Sequence, residues 1–221
     1  MPDAPAPIAR RIGVAAGVAV ALLCLAYASV LTAGLVTLPS PDQQIQEPWF
    51  TLMEVLIITI APAMITLTVA LHAWAPKQRK SLALAAVAFM SMCAVITCGV
   101  HFAVLTLSGQ PAFAGREWAT MVFSFEWPSV AYALDILAWD FFFPLAALFA
   151  AATIQGAGLA AAVRRLLFAS AALAFIGLVG VPLASMQIRN IGIIGYAVLF
   201  PIAAAFMAGL FHQSIRREVP V

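Results

Sequence analysis

The chain has 221 residues, 64% of them hydrophobic and only 9% charged, with a formal net charge of +2. Soluble domains carry about a quarter charged residues, so a water-soluble globular fold is excluded. The small net charge, with no basic stripe, also argues against a nucleic-acid partner.

Crossing the hydrocarbon core as a helix takes about 20 apolar residues. Six runs supply them, at roughly 12–36, 50–74, 82–107, 129–153, 166–184 and 191–212. Closed β-barrels are the other membrane solution, but their short alternating strands are absent. The expected architecture is therefore an all-α integral membrane protein, a bundle of six transmembrane helices in a single domain over 1–221. The first run follows Arg10 and Arg11 as a signal peptide would. It exceeds the roughly 7–15 residues of a signal core, so it reads as a retained first helix.

Lys and Arg alternate between the two sides of the bundle. Arg10, Arg11, Lys77, Arg79, Lys80, Arg164, Arg165, Arg216 and Arg217 fall on one side, and Arg116 and Arg189 on the other. This bias marks the cytoplasmic face, so the N- and C-termini are expected in the cytoplasm. The location fits a bacterial inner membrane. The opposite loops carry Asp42, Glu47, Glu117 and Glu126. In the second of these loops Trp118, Met121, Val122 and Phe125 recur with helical period, which predicts a short interfacial helix.

Prolines interrupt the second, fourth and sixth runs at Pro62, Pro144 and Pro201, where each removes a backbone hydrogen bond. Gly13/Gly17 and Ala205/Gly209 have the fourfold small-residue spacing of close helix contacts. That spacing also permits a homo-oligomer. Cys24, Cys93 and Cys98 all lie inside runs, so no disulfide framework is expected.

An ionisable group in hydrocarbon is costly and needs a partner or a purpose. At a rise of 1.5 Å per residue, Glu54, His101 and Asp135 each lie about 6–12 Å below the outer boundary, with Arg189 at or just above them. Projection at 3.6 residues per turn groups Glu54, His101, Tyr132, Asp135, Trp139, Arg189 and Tyr196 around one outward-opening polar cavity. The same projection turns Asp140 well away, toward a separate contact deeper in the bundle. Plainer readings compete with this one. Glu54 and Asp135 could be structural carboxylates, His101 a core histidine bridging helices, and Arg189 a boundary arginine snorkelling to water.

No HExxH, GxSxG, Walker or Rossmann pattern occurs, and no motif implies a metal or cofactor. The only lysines, Lys77 and Lys80, lie in a loop, which excludes a retinal Schiff base. Three functions remain. The first is a small proton-coupled transporter or permease component. The second is a non-catalytic sensory or assembly subunit. The third is a membrane-embedded enzyme using Glu54 and Asp135 as general acid and base on a lipid or isoprenoid. The expected contacts are membrane lipid and a small-molecule or lipid ligand.

Overall fold

A computed structural model describes residues 7–40 and 43–216; Asp42 and Arg217, used above to read the loops, lie outside them. Every regular element among the described residues is helical. The elements are α1 (Pro7–Val36), α2 (Trp49–Trp74), α3 (Lys80–Leu107), α4 (Glu117–Phe123), α5 (Val130–Thr153), α6 (Leu159–Val179) and α7 (Met186–Ile215). All but α4 are long and apolar enough to cross a membrane.

The six long helices form a ring in chain order. Each packs on the next, α3 meets α5 directly, and α7 returns to α1. Small residues close the ring. A Cβ at Gly13 would meet the Phe211 ring at 2.6 Å, and one at Gly17 would meet the Ala204 carbonyl oxygen at 2.6 Å. The expected Gly13/Gly17 spacing thus serves a contact within the chain. Its partners on α7 are Ala204 and Ala208, one residue off the expected pair: Ala205 is exposed, and Gly209 faces Leu159 of α6. Overpacking a close contact costs about 1–3 kcal/mol. Gly17→Leu should lower the melting temperature of the purified protein accordingly, while Ala205→Leu, on the outer surface, should leave it unchanged. Equal effects would mean that α1 does not seal the ring at this point.

The last carbonyls of a helix lack internal partners, and cations favour that end of the dipole. At the end of the bundle that holds the termini, basic side chains fill this role. Lys80 Nζ donates to the His72 and Ala73 oxygens at the end of α2, and Arg79 donates to Ala152 O at the end of α5. Arg10 Nη1 donates to Ser214 O at the end of α7, 2.9 Å away. The Lys/Arg asymmetry of the sequence therefore also completes helix ends. Fully buried Leu71, Met90, Phe143, Leu167 and Phe211 pack the interior of this solid half of the bundle.

Three helix starts differ from the hydropathy reading: α1 begins at Pro7, five residues before the expected 12, with Arg10 and Arg11 inside it. The first turns of α6 contain Arg164 and Arg165, so hydropathy alone places its start seven residues late. The break is set by Gly158, at φ 61°, a conformation L-residues rarely adopt. Helix α7 begins at Met186 because the Ser185 side chain caps it, accepting from Ile188 N–H at 3.4 Å. Arg189 consequently lies inside the helix and not at its mouth.

Candidate functional site

The prolines of α5 and α7 build the site. Pro144 and Pro201 have no N–H to give the carbonyl four residues back, and their rings press on it. In both helices the turn before the proline widens to a π-helix, Leu137–Phe142 in α5 and Ile194–Leu199 in α7. The following N–H groups close the wide turns, Phe143 N–H to Ala138 O and Phe200 N–H to Gly195 O. The two segments repeat one pattern, an aromatic residue five before the proline (Trp139, Tyr196) and a phenylalanine immediately before it. Ser170 Oγ of α6 donates to Gly195 O at 2.8 Å, as neighbours do for interrupted helices in membranes. Pro62 is handled differently: its freed carbonyl, Ile58 O, lies 3.7 Å from the Cys98 thiol, which donates to it.

Between these helices and α1–α3 lies a cavity of about 560 Å³. It descends from the loop end of the bundle past Glu54 to Met64 and Phe200, and α6 takes no part in its wall. Residues 43–45 and 123–126 form its rim. Gln44 Nε2 donates to Glu126 Oε1 at 3.0 Å, tying the two rim segments together. A short helix, Glu117–Phe123, forms where an interfacial one was expected, and it ends within a cluster of Phe113, Trp118 and Phe123. Phe125 lies beyond it and stacks on the His101 ring, with centroids 4.7 Å apart.

All seven residues grouped from the sequence, Glu54, His101, Tyr132, Asp135, Trp139, Arg189 and Tyr196, lie on the wall of this cavity. The ionisable ones form a chain. His101 Nδ1 lies 2.8 Å from Glu54 Oε2, and its Nε2 lies 3.5 Å from Asp135 Oδ1. Arg189 Nη2 donates to Asp135 Oδ2 at 3.5 Å, while its Nε lies 3.3 Å from Asp140 Oδ2. The guanidinium also sits over the Tyr132 ring, 4.8 Å from its centroid, within range of a cation–π contact. One chain thus runs from α2 through α3 and α5 to α7 and back to α5.

No protein-family model, curated protein or solved structure matches this chain. The site therefore has to be read from its own chemistry.

Two expectations need correction. Arg189 does not snorkel: it is 4% exposed and points into the bundle. Asp140 does not stand apart: it is fully buried and pairs with the same arginine as Asp135. At 3.6 residues per turn Asp135 and Asp140 are about 140° apart. The intervening π turn closes i→i+5 bonds and brings residues five apart back toward one side. Room for Asp140 comes from α7, where a Cβ on Gly192 would sit 2.3 Å from Asp140 Oδ1.

The imidazole decides what the chain can do. A neutral ring has one N–H, so it can donate to only one of its two carboxylates. The other contact is satisfied only if that carboxyl carries a proton or if the ring becomes imidazolium. Glu54, His101 and Asp135 therefore hold one shared proton when both contacts are made, and the ring can pass it from one acid to the other. The two carboxylates approach opposite edges of the ring and do not converge on a common point. Among the described residues no three His, Cys, Asp or Glu side chains are placed to hold a metal ion.

Proposed function

We propose that the protein is a small proton-coupled transporter or permease component of a cell membrane. Its termini are cytoplasmic, and its cavity opens to the opposite side, as the Lys/Arg bias suggests. One observation carries this reading: a row of carboxylate, imidazole, carboxylate and guanidinium at ion-pair distances on the wall of a cavity, with the buried Asp140 carboxylate behind the guanidinium. Intramembrane ionisable groups of this kind mark proton relays and substrate paths.

In this reading a proton enters from the cavity onto Glu54 and crosses the His101 ring to Asp135. The protonated pair loosens its hold on Arg189, which links α5 to α7. Interrupted helices line the sites of many transporters. Here the two π turns with their Phe-Pro ends are where α5 and α7 would flex to open the solid half. The short helix α4 would lie at the outer interface beside the rim.

The test is proton flux in proteoliposomes under an imposed pH gradient. Glu54→Gln and Asp135→Asn keep the side-chain shapes and remove the titrating groups. Each is expected to reduce flux about a hundredfold, the lower end of what a positioned acid or base contributes. Flux unchanged by both would eliminate transport and favour the assembly-subunit reading, in which the chain only binds helices together.

A further inference from the structure

We propose that the cavity takes an organic cation: an ammonium-type headgroup seated at Glu54, with an apolar portion directed toward Ile57, Ile60 and Met64. This rests on the transport reading for its cargo, but the binding site stands or falls separately.

Charge is the first argument. Counted as formal charges, three carboxylates are set against one guanidinium and one shared proton. One negative charge is left over in a site whose members are mostly buried, Glu54 at 3%, His101 at 6%, Arg189 at 4% and Asp140 at 0% exposure. A buried charge without a partner is costly, so the arrangement favours a positive guest. Asp135 and Asp140 flank Arg189, so an anion beside the guanidinium would meet two carboxylates.

Glu54 is the second argument. Its Oε2 faces His101, and this is the one hydrogen bond its carboxylate makes among the described residues. The side chain lines the cavity although it is 97% withdrawn from solvent. It thus presents an acceptor with no protein donor to whatever enters.

The walls are the third. The rings of Tyr27, Phe50, Phe125, Trp139 and Tyr196 surround the same space, and Trp139 and Tyr196 sit 5.1 Å apart. Aromatic faces with a nearby carboxylate suit alkylammonium groups. The volume, about 560 Å³, is within the range for small-molecule pockets and far more than a proton or a bare metal ion requires. Coupling then has a simple basis: the cation and the added proton compete for the same surplus charge.

The probe is benzyltrimethylammonium, with benzenesulfonate as its anionic counterpart. Each is titrated calorimetrically into the protein in lipid nanodiscs, with empty nanodiscs as the blank. The cation should bind and the sulfonate should not. Glu54→Gln should weaken the cation about tenfold or more, as loss of a desolvated charge partner does. Ala28→Trp alters no charge, but it narrows the wall at a position that is otherwise exposed, and it should weaken binding too. Thermal melts establish that both variants are folded, and Asp135→Asn replaces Glu54→Gln if the latter is not. Equal binding of the sulfonate, no binding of the cation, or cation affinity untouched by these variants would overturn the proposal. Cation binding with proton flux indifferent to Glu54 and Asp135 would leave this site standing and remove transport. Flux that depends on both acids, with no cation bound, would do the reverse.

Discussion

Replacing Arg189 with methionine is expected to destabilise the folded bundle by about 3–5 kcal/mol, the range for removing one member of a buried ion pair. Methionine matches the length of the aliphatic stem, so the loss is chiefly electrostatic. The substitution leaves Asp140, at 0% exposure, without the one cation placed against it among the described residues, and takes one of two partners from Asp135. It also removes the only charged link between α5 and α7 found among the described residues. The prediction separates charge from packing through a second substitution. Arg189→Met combined with Asp140→Asn should recover a large part of the loss, because it removes the orphaned charge along with its partner. Arg116→Met, at an exposed position, is the control and should change little. The measurement is equilibrium unfolding in mixed micelles. If Arg189→Met behaves like Arg116→Met, the guanidinium does not hold the chain together.

Why the scaffold was legible and part of the site was not follows from what each depends on. Six spans follow from apolar length alone, because a helix must hide its backbone polar groups wherever lipid surrounds it. A shared level for Glu54, His101 and Asp135 follows from the constant rise per residue, and the three do meet. Hydropathy fails where charge sits inside a helix. Arg164 and Arg165 hide the start of α6, and the polar stretch around Arg189 hides the start of α7. In α7 the capping serine, Ser185, was a usable signal. Asp140 escaped for a different reason. Angular projection assumes an unbroken 3.6-residue period, and the π turn before Pro144 breaks it. The recurrence of an aromatic residue, four more positions and a proline in both α5 and α7 was visible in the sequence. What it does to the register follows only from the folded backbone. The Lys/Arg pattern, a topology signal in the sequence, has a second role in three dimensions, since Lys80, Arg79 and Arg10 also complete the ends of α2, α5 and α7.

The largest expected effect on activity belongs to His101. In the proposed relay it is the only group touching both Glu54 and Asp135, so no proton passes between those acids without it. His101→Gln is the informative substitution. A glutamine amide can donate to one carboxylate and accept from a protonated other, so the link from α3 to α2 and α5 can persist. The amide does not titrate, however, and cannot release on one side the proton it takes on the other. Flux in proteoliposomes should fall by about two orders of magnitude or more, the lower end of what positioned acid–base groups contribute. Stability should fall less than in Arg189→Met, because the amide still hydrogen-bonds to the two carboxyls that flank His101, whereas Arg189→Met takes from Asp140 the one charged partner it has among the described residues. Binding of benzyltrimethylammonium should survive, since Glu54 keeps its free oxygen. A structural histidine would behave in the opposite way: His101→Gln would lower the melting temperature and leave flux per folded molecule intact. That second pattern would make the carboxylate–imidazole–carboxylate chain a clamp between helices and end its role as a proton path.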